Sequence, residues 1–233
     1  MSELRILLRA ALDLKLLLVL GYPKEGALRF VAQHHGLGER SRLALHRLVH
    51  SPAEVEEARR KLARPEELRG QKVVIDGYNV LITVEAGLSS APLFLCDDGI
   101  VRDILAVYGR YRITPRTAEA LSLIASFLAE TGASEVLFVY DSQVSRSGEL
   151  AALTRRILAE HGVSGTALTA PRADKCVLLS GGIAASSDIV IVRAAERIVD
   201  IPGELARRLG WPLIDVRREL ARLFVELGLD KLI

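Results

Sequence analysis

Asparagine is nearly absent from this chain: 233 residues hold a single one, Asn79, beside three glutamines, one methionine, one tryptophan and two cysteines. Scarcity of amides, Cys and Met, together with abundant Arg and Leu, is the composition expected of a protein from a hot environment. Selection against asparagine gives weight to the one that survives. Cys96 and Cys176 lie far apart with no CxxC spacing, which argues against a cysteine-based zinc site of the usual kind and assigns no disulfide. Long apolar runs are missing too. The N-terminal stretch RILLRAALDLKLLLVL is interrupted by Arg5, Arg9, Asp13 and Lys15, so it reads as an amphipathic helix of a cytoplasmic protein and not as a membrane span or signal peptide. Repeats and low-complexity tracts are absent as well.

What is present suffices for a proper core: half the residues are apolar and 26% are charged, a balance unlike that of disordered chains. The length fits one medium domain, or a domain of about 150 residues with a small partner. The net charge of +2 is unevenly spread. Residues 1–70 carry 13 Lys and Arg against 9 Asp and Glu, whereas residues 71–233 carry 18 against 20. A basic head suits a polyanionic partner, and equally a solvated helical surface.

Residues 1–66 read as a small all-α domain of short helices. Leu4, Leu7, Leu8, Ala11, Leu12 and Leu16 keep helical spacing. GYP at 21–23 ends the first helix and starts the second. A third covers roughly 39–49, and Ser51-Pro52 opens a fourth. Helix–turn–helix geometry is compatible with 23–49. His34, His35, His46 and His50 fall here, as candidate metal ligands or as surface and helix-end histidines. After a polar hinge at 64–72 the grammar changes. From 71 to 233, apolar strands alternate with helices: VVIDGYNVLI as a buried strand, a helix at 115–131, SEVLFVYDS, a helix at 148–160, TALTA, a strand within GIAASSDIVIV, a helix at 203–209, WPLIDV and a terminal helix at 217–227. That alternation predicts an α/β fold with a parallel sheet flanked by helices.

In such sheets ligands bind beyond the carboxyl ends of the strands, so acids that follow apolar runs matter. Asp76 follows VVI, Asp141 follows VLFVY, Asp188 follows GIAASS, and Asp174 lies in the loop APRADK. Converging carboxylates repel one another and require a cation. Oxygen ligands favour Mg²⁺ or Mn²⁺, and paired ions on such acids support phosphodiester hydrolysis. The plain alternative for each is a helix cap or turn, and Asp76-Gly77 could also turn a hairpin. Asp188 joins the site if the strand is GIAASS. If the strand is IVIV at 189–192, Glu196 or Asp200 takes its place. Phosphatase chemistry of the haloacid type needs a second Asp where this chain has Tyr78. LSGGI at 179–183 lacks the ending of a phosphate loop.

The series VVIDGYNVL, VLFVYDS, RADK and SSD resembles the PIN-like nucleases, in particular the NYN branch, whose first strand typically ends in an Asp-Gly-x-Asn signature. The chain as a whole is similar to an archaeal family in which a small helical domain of unknown function precedes a PIN-like domain. The nuclease resemblance spans about 71–215. It implies metal-dependent RNA cleavage, with Asp76, Asp141, Asp174 and Asp188 as Mg²⁺ or Mn²⁺ ligands and Asn79 orienting the Asp76 loop or touching the scissile phosphate. The chain departs from the pattern by an insertion before residue 115, whose Asp97, Asp98 and Asp103 could replace or supplement a ligand.

For contacts to RNA, whether free, ribosomal or tRNA, YGRYR at 108–112 interleaves Tyr108 and Tyr111 with Arg110 and Arg112, rings for bases and guanidinium groups for phosphates. Arg102 precedes them in the same insertion. Ser145, Arg146 and Ser147 follow Asp141 at a helix start that attracts phosphate, and Arg146 is the candidate clamp. The expected function is a metal-dependent endoribonuclease. Its alternatives are a non-catalytic RNA- or ribosome-binding protein and, behind that, a helix–turn–helix DNA-binding regulator. The terminal LARLFVELGLDKLI is a stripe for a homodimer or for packing on its own domain.

Overall fold

The computed structural model describes residues 3–104 and 111–228. The chain divides into two compact units, one joining Met1–Arg60, Pro92–Leu105 and Leu213–Ile233, the other Lys61–Ala91 and Ala106–Pro212. Residues 92–105 and the C-terminal segment thus follow the hinge in sequence yet belong in space with the helical head.

The first unit contains α1 (Glu3–Val19), α2 (Lys24–His34), α3 (Glu39–Leu48) and α4 (Pro52–Lys61), with β2 (Leu93–Leu95), β3 (Val101–Arg102), β8 (Leu213–Asp215) and α11 (Val216–Glu226). α1 packs on α2, α3 and α11. Its leucine stripe meets Leu28, Val31, Leu45 and Leu48, then Phe94, Leu220 and Leu223 in one core. The expected last strand, WPLIDV, is therefore not a member of the large sheet. β8 runs parallel to β2, which pairs antiparallel with β3. Leu220 and Leu223 fill this unit's own core, while Val225 and Leu227 stay exposed.

The β2–β3 turn buries a polar network in the first unit. Arg102, fully buried, forks onto Asp98 at 2.8 and 2.6 Å. Asp97 accepts from Lys15 at 2.8 Å and pairs with the His50 ring at 2.7 Å. Burial pushes both carboxyls up, but Arg102 beside Asp98, and His50 and Lys15 beside Asp97, more than offset it and hold both below the ordinary range. These side chains hold the turn together. Arg102, fully buried on Asp98, presents no surface to RNA, and the Asp98 carboxylate is charge-matched by it. Asp103 is buried here as well, its carbonyl accepting from Arg47.

The second unit is built on β1 (Lys72–Asp76), β4 (Glu135–Asp141), β5 (Gly165–Ala170), β6 (Ile183–Ala185) and β7 (Ile198–Val199) in the order β5-β4-β1-β6-β7, every neighbour parallel. Its helices are α5 (Gly77–Leu88), α6 (Pro115–Thr131), α7 (Ser147–Glu160), α8 (Ala173–Leu179), α9 (Ile189–Ala194) and α10 (Ile201–Leu209). The α/β class is as expected, with two corrections. VVIDGYNVLI is a strand only to Asp76; the chain then enters α5 directly, so no hairpin forms. IVIV is helical, the first four residues of α9.

Replacing Asp98 by Ala strands a buried guanidinium. Loss of its partner is expected to cost about 3–5 kcal/mol, measurable by denaturant unfolding, while Arg102→Met with Asp98→Leu should recover much of that loss.

Candidate functional site

β1 is the switch point of the large sheet: the chain leaves it toward β4 and β5 on one side and later returns to β6 and β7 on the other. Parallel sheets open a crevice beyond the carboxyl ends at such a point. Asp76 ends β1 there. Its register partner on β4 is Val139, so Asp141, two residues further, faces the same side of the sheet. Ile75 pairs with Ala185, which brings Ser186, Ser187 and Asp188 alongside Asp76. Asp174 lies in the first turn of α8, which packs on β1, β4, β5 and α9.

Gly77 makes the first turn of α5 fit. A Cβ there would run into the Tyr140 ring, which is fully buried with its hydroxyl on Thr154 at 2.7 Å. The turn places Asn79 one helical step past Asp76. The Asn79 Oδ1 accepts from the Ser187 backbone N–H at 2.8 Å and from its hydroxyl at 2.9 Å. Ser186 Oγ donates to Asp76 Oδ2 at 2.8 Å and accepts from the Asp188 N–H at 3.0 Å. The lone asparagine thus fastens the β6–α9 loop onto the end of β1. The Asp188 carboxylate caps α9, accepting from the N–H groups of Val190 and Ile191.

Asp76 is strongly perturbed. Burial pushes its carboxyl up to about 6; Asp188 and Asp174 push the same way, while the Ser186 hydrogen bond and the Asn79 backbone oppose them. Three of the expected acids therefore share one field. Asp141 acts instead on Tyr78, whose hydroxyl is pushed up to about 12 by burial and then by that charge. The Tyr78 oxygen is buried without a hydrogen-bond partner among the described residues, its ring edge-on to Tyr111 and Tyr140 at 5.2 Å. The carboxylates are spread along the rim. Among the described residues, trios of donor atoms within 4.8 Å of one another occur at Asp13, His34 and His35 and at His50, Asp97 and Asp98, but not here.

Asp188 stands at the carboxyl end of β6, as the reading GIAASS requires. Glu196 lies at the opposite edge, in a cavity lined by Glu67, Gln71, Gly182, Ile183 and Arg197. Asp200 follows β7, buried, with its carboxylate on the Gly203 N–H at 3.0 Å.

The expected RNA contacts fare unevenly. Arg146 sits on the β4–α7 loop with a positive φ of 64° and forks onto Glu149, so a phosphate must compete with that carboxylate. Ser145 is exposed beside it, whereas Ser147 is buried at the start of α7. The Tyr111 hydroxyl is committed to Glu85 at 2.7 Å and Thr117 at 2.8 Å, and its half-buried ring packs edge-on against Tyr78. Arg112 is exposed. Tyr108 and Arg110 lie outside the described residues. Two cations escaped the sequence reading. Arg172 and Lys175 flank Asp174, exposed and without an ion-pair partner among the described residues; the flanking positions themselves were the available signal.

Residues 65–204 match a family described as a domain of unknown function (DUF5616). The chain belongs to that family. Residues 6–61 match a protein family of unknown function (DUF434), which corresponds to the helical head. An uncharacterised protein of the archaeon Methanocaldococcus jannaschii is 35% identical over 198 residues, covering 84% of this chain and 94% of its own length. No solved structure matches the chain. No helix among the described residues is long and apolar enough to cross a membrane.

The raised Asp76 carboxyl has a signed consequence. The folded state holds this proton up to about pH 6, whereas an unfolded Asp releases it near 3.9. Its contribution to stability is therefore greatest below about pH 4 and declines until pH 6 is passed. In metal-free buffer Asp76→Asn should be the more stable protein at pH 7, by about 2–3 kcal/mol, with the difference vanishing near pH 4. Thermal unfolding of both proteins across that range checks it. Asn79→Ala removes two acceptor contacts and should cost about 1–2 kcal/mol, with faster amide exchange at Ser187 and Asp188.

Proposed function

We propose that the second unit is a metal-dependent endoribonuclease of the PIN-like, NYN type, acting on RNA in the cytoplasm. The observation that carries the reading is the gathering of Asp76, Asp174 and Asp188, from three separate chain segments, at the switch point of a parallel sheet. Structural acids are normally paired with cations, and Asp76 instead faces like charge. A hard dication relieves that repulsion, so the donor set fits Mg²⁺ or Mn²⁺. Asp76, Asp174 and Asp188 would hold it, with Asp141 alongside. The separation of the carboxylates suits Mg²⁺, which keeps several waters and takes one or two carboxylates directly. Such an ion would supply an activated water and screen the phosphate charge.

The chain's own residues do the rest. Asn79 and Ser186 hold the acids in register, and the Asn79 NH₂ group, which makes no hydrogen bond among the described residues, faces the same rim as a donor for a phosphate oxygen. Arg172, Lys175 and Arg112 supply exposed positive charge for the RNA backbone. The helical head, net basic over residues 1–70, adds phosphate affinity.

The wide spacing of the acids favours one second reading, an RNA-binding protein that retains the fold without cleaving. The two separate cleanly. Incubation with single-stranded RNA and Mn²⁺ should give internal cleavage that EDTA stops and that falls at least about 100-fold in Asp76→Asn. Salt-dependent RNA binding that ignores both EDTA and Asp76→Asn, with no cleavage, establishes the second reading instead.

A further inference from the structure

We propose that Asp13, His34 and His35, in the helical unit, form a second metal site, for a late first-row dication of the Zn²⁺, Co²⁺ or Ni²⁺ class. Asp13 lies on the flank of α1; His34 is the last residue of α2 and His35 its C-terminal cap. The Asp13 Oδ2 and His35 Nε2 approach to 2.6 Å. The His34 and His35 rings meet edge to face at 4.9 Å, and His34 is held from behind by a stacked Phe30 at 6.4 Å. One donor atom from each of the three residues lies within 4.8 Å of the other two.

Three further facts point to a cation. Bonds of about 2.0–2.2 Å to imidazole nitrogen and carboxylate oxygen set donors about 3–3.5 Å apart, so Asp13 and His35, in contact at 2.6 Å, open slightly while the exposed His34 ring rotates inward. The end of α2 presents partial negative charge from its last carbonyls, favouring a cation in its final turn. Asp13 has no Lys or Arg partner among the described residues, its one ion-pair contact being His35. The buried trio His50, Asp97 and Asp98 differs on this point, since Lys15 and Arg102 already neutralise its carboxylates. Two imidazoles with one carboxylate select Zn²⁺-like ions over Mg²⁺, and exposure of His34 leaves a coordination position for water or a fourth ligand. An ion there clips α1 to the end of α2. The site is independent of the strand-end acids and of the proposed nuclease activity.

The test is titration of the metal-free full-length protein with Co²⁺ in a large excess of Mg²⁺, followed by visible absorption. One equivalent should bind with ligand-field bands of low coordination number. His34→Gln and Asp13→Asn should each weaken it by about 100-fold, and acidification below the imidazole range should release it. Asp76→Asn should leave the titration unchanged. Absence of stoichiometric binding, survival of the bands in both His34→Gln and Asp13→Asn, or their loss in Asp76→Asn would each overturn the proposal. Circular dichroism of the metal-free variants, expected to match wild type, shows that any loss is not unfolding.

Discussion

A buried carboxylate with like charges for neighbours, at the end of one strand, is the constraint around which the rim of the second unit is built. Asp76 sits in a buried position with Asp174 and Asp188 for neighbours and, among the described residues, no arginine or lysine to answer it. Burial, and then those like charges, raise its carboxyl to about 6, and other contacts hold the rim in place. Those contacts converge on two short side chains. Ser186 bridges Asp76 to the backbone of Asp188, and Asn79 grips Ser187 from the first turn of α5. The chain's single asparagine thus ties the β6–α9 loop to the end of β1.

The first unit solves the opposite problem. Its buried acids, Asp97 and Asp98, are met by Lys15, His50 and a fully buried Arg102, so charge is matched inside the unit and the β2–β3 turn becomes a structural pin. The contrast between the two acidic groups is the physical ground for separating support from site. Matched charge stabilises a geometry. Unmatched charge, held in place by neighbours, leaves room for a cation.

Much of this was legible in the sequence. EVLFVYD announced β4 because five apolar residues in succession before an acid leave no helical period, and the stripe of α6 was plain. The placement of Asp188 was half-legible: GIAASS and IVIV both looked like strands, and only the side-chain cap on Val190 and Ile191 shows that the second run is a helix. The run after Asp76 misled for the same reason. Val80, Leu81, Ile82, Thr83 and Val84 are largely β-branched and apolar on every face, so neither propensity nor amphipathic period marked α5; burial between the sheet and α6 overrides both. The insertion was illegible in principle. Residues 93–95 pair with 213–215 across more than a hundred residues, and no local pattern records that partnership. Arg102 looked like a surface cation because arginine usually is one.

The most direct test of the account is anomalous diffraction from crystals soaked in Mn²⁺. A manganese peak is expected at the carboxyl edge of the large sheet, bonded to Asp76 and to at least one of Asp174 and Asp188. An empty rim, with Asp76 still hydrogen-bonded to Ser186 and no ion beside it at saturating Mn²⁺, would contradict it.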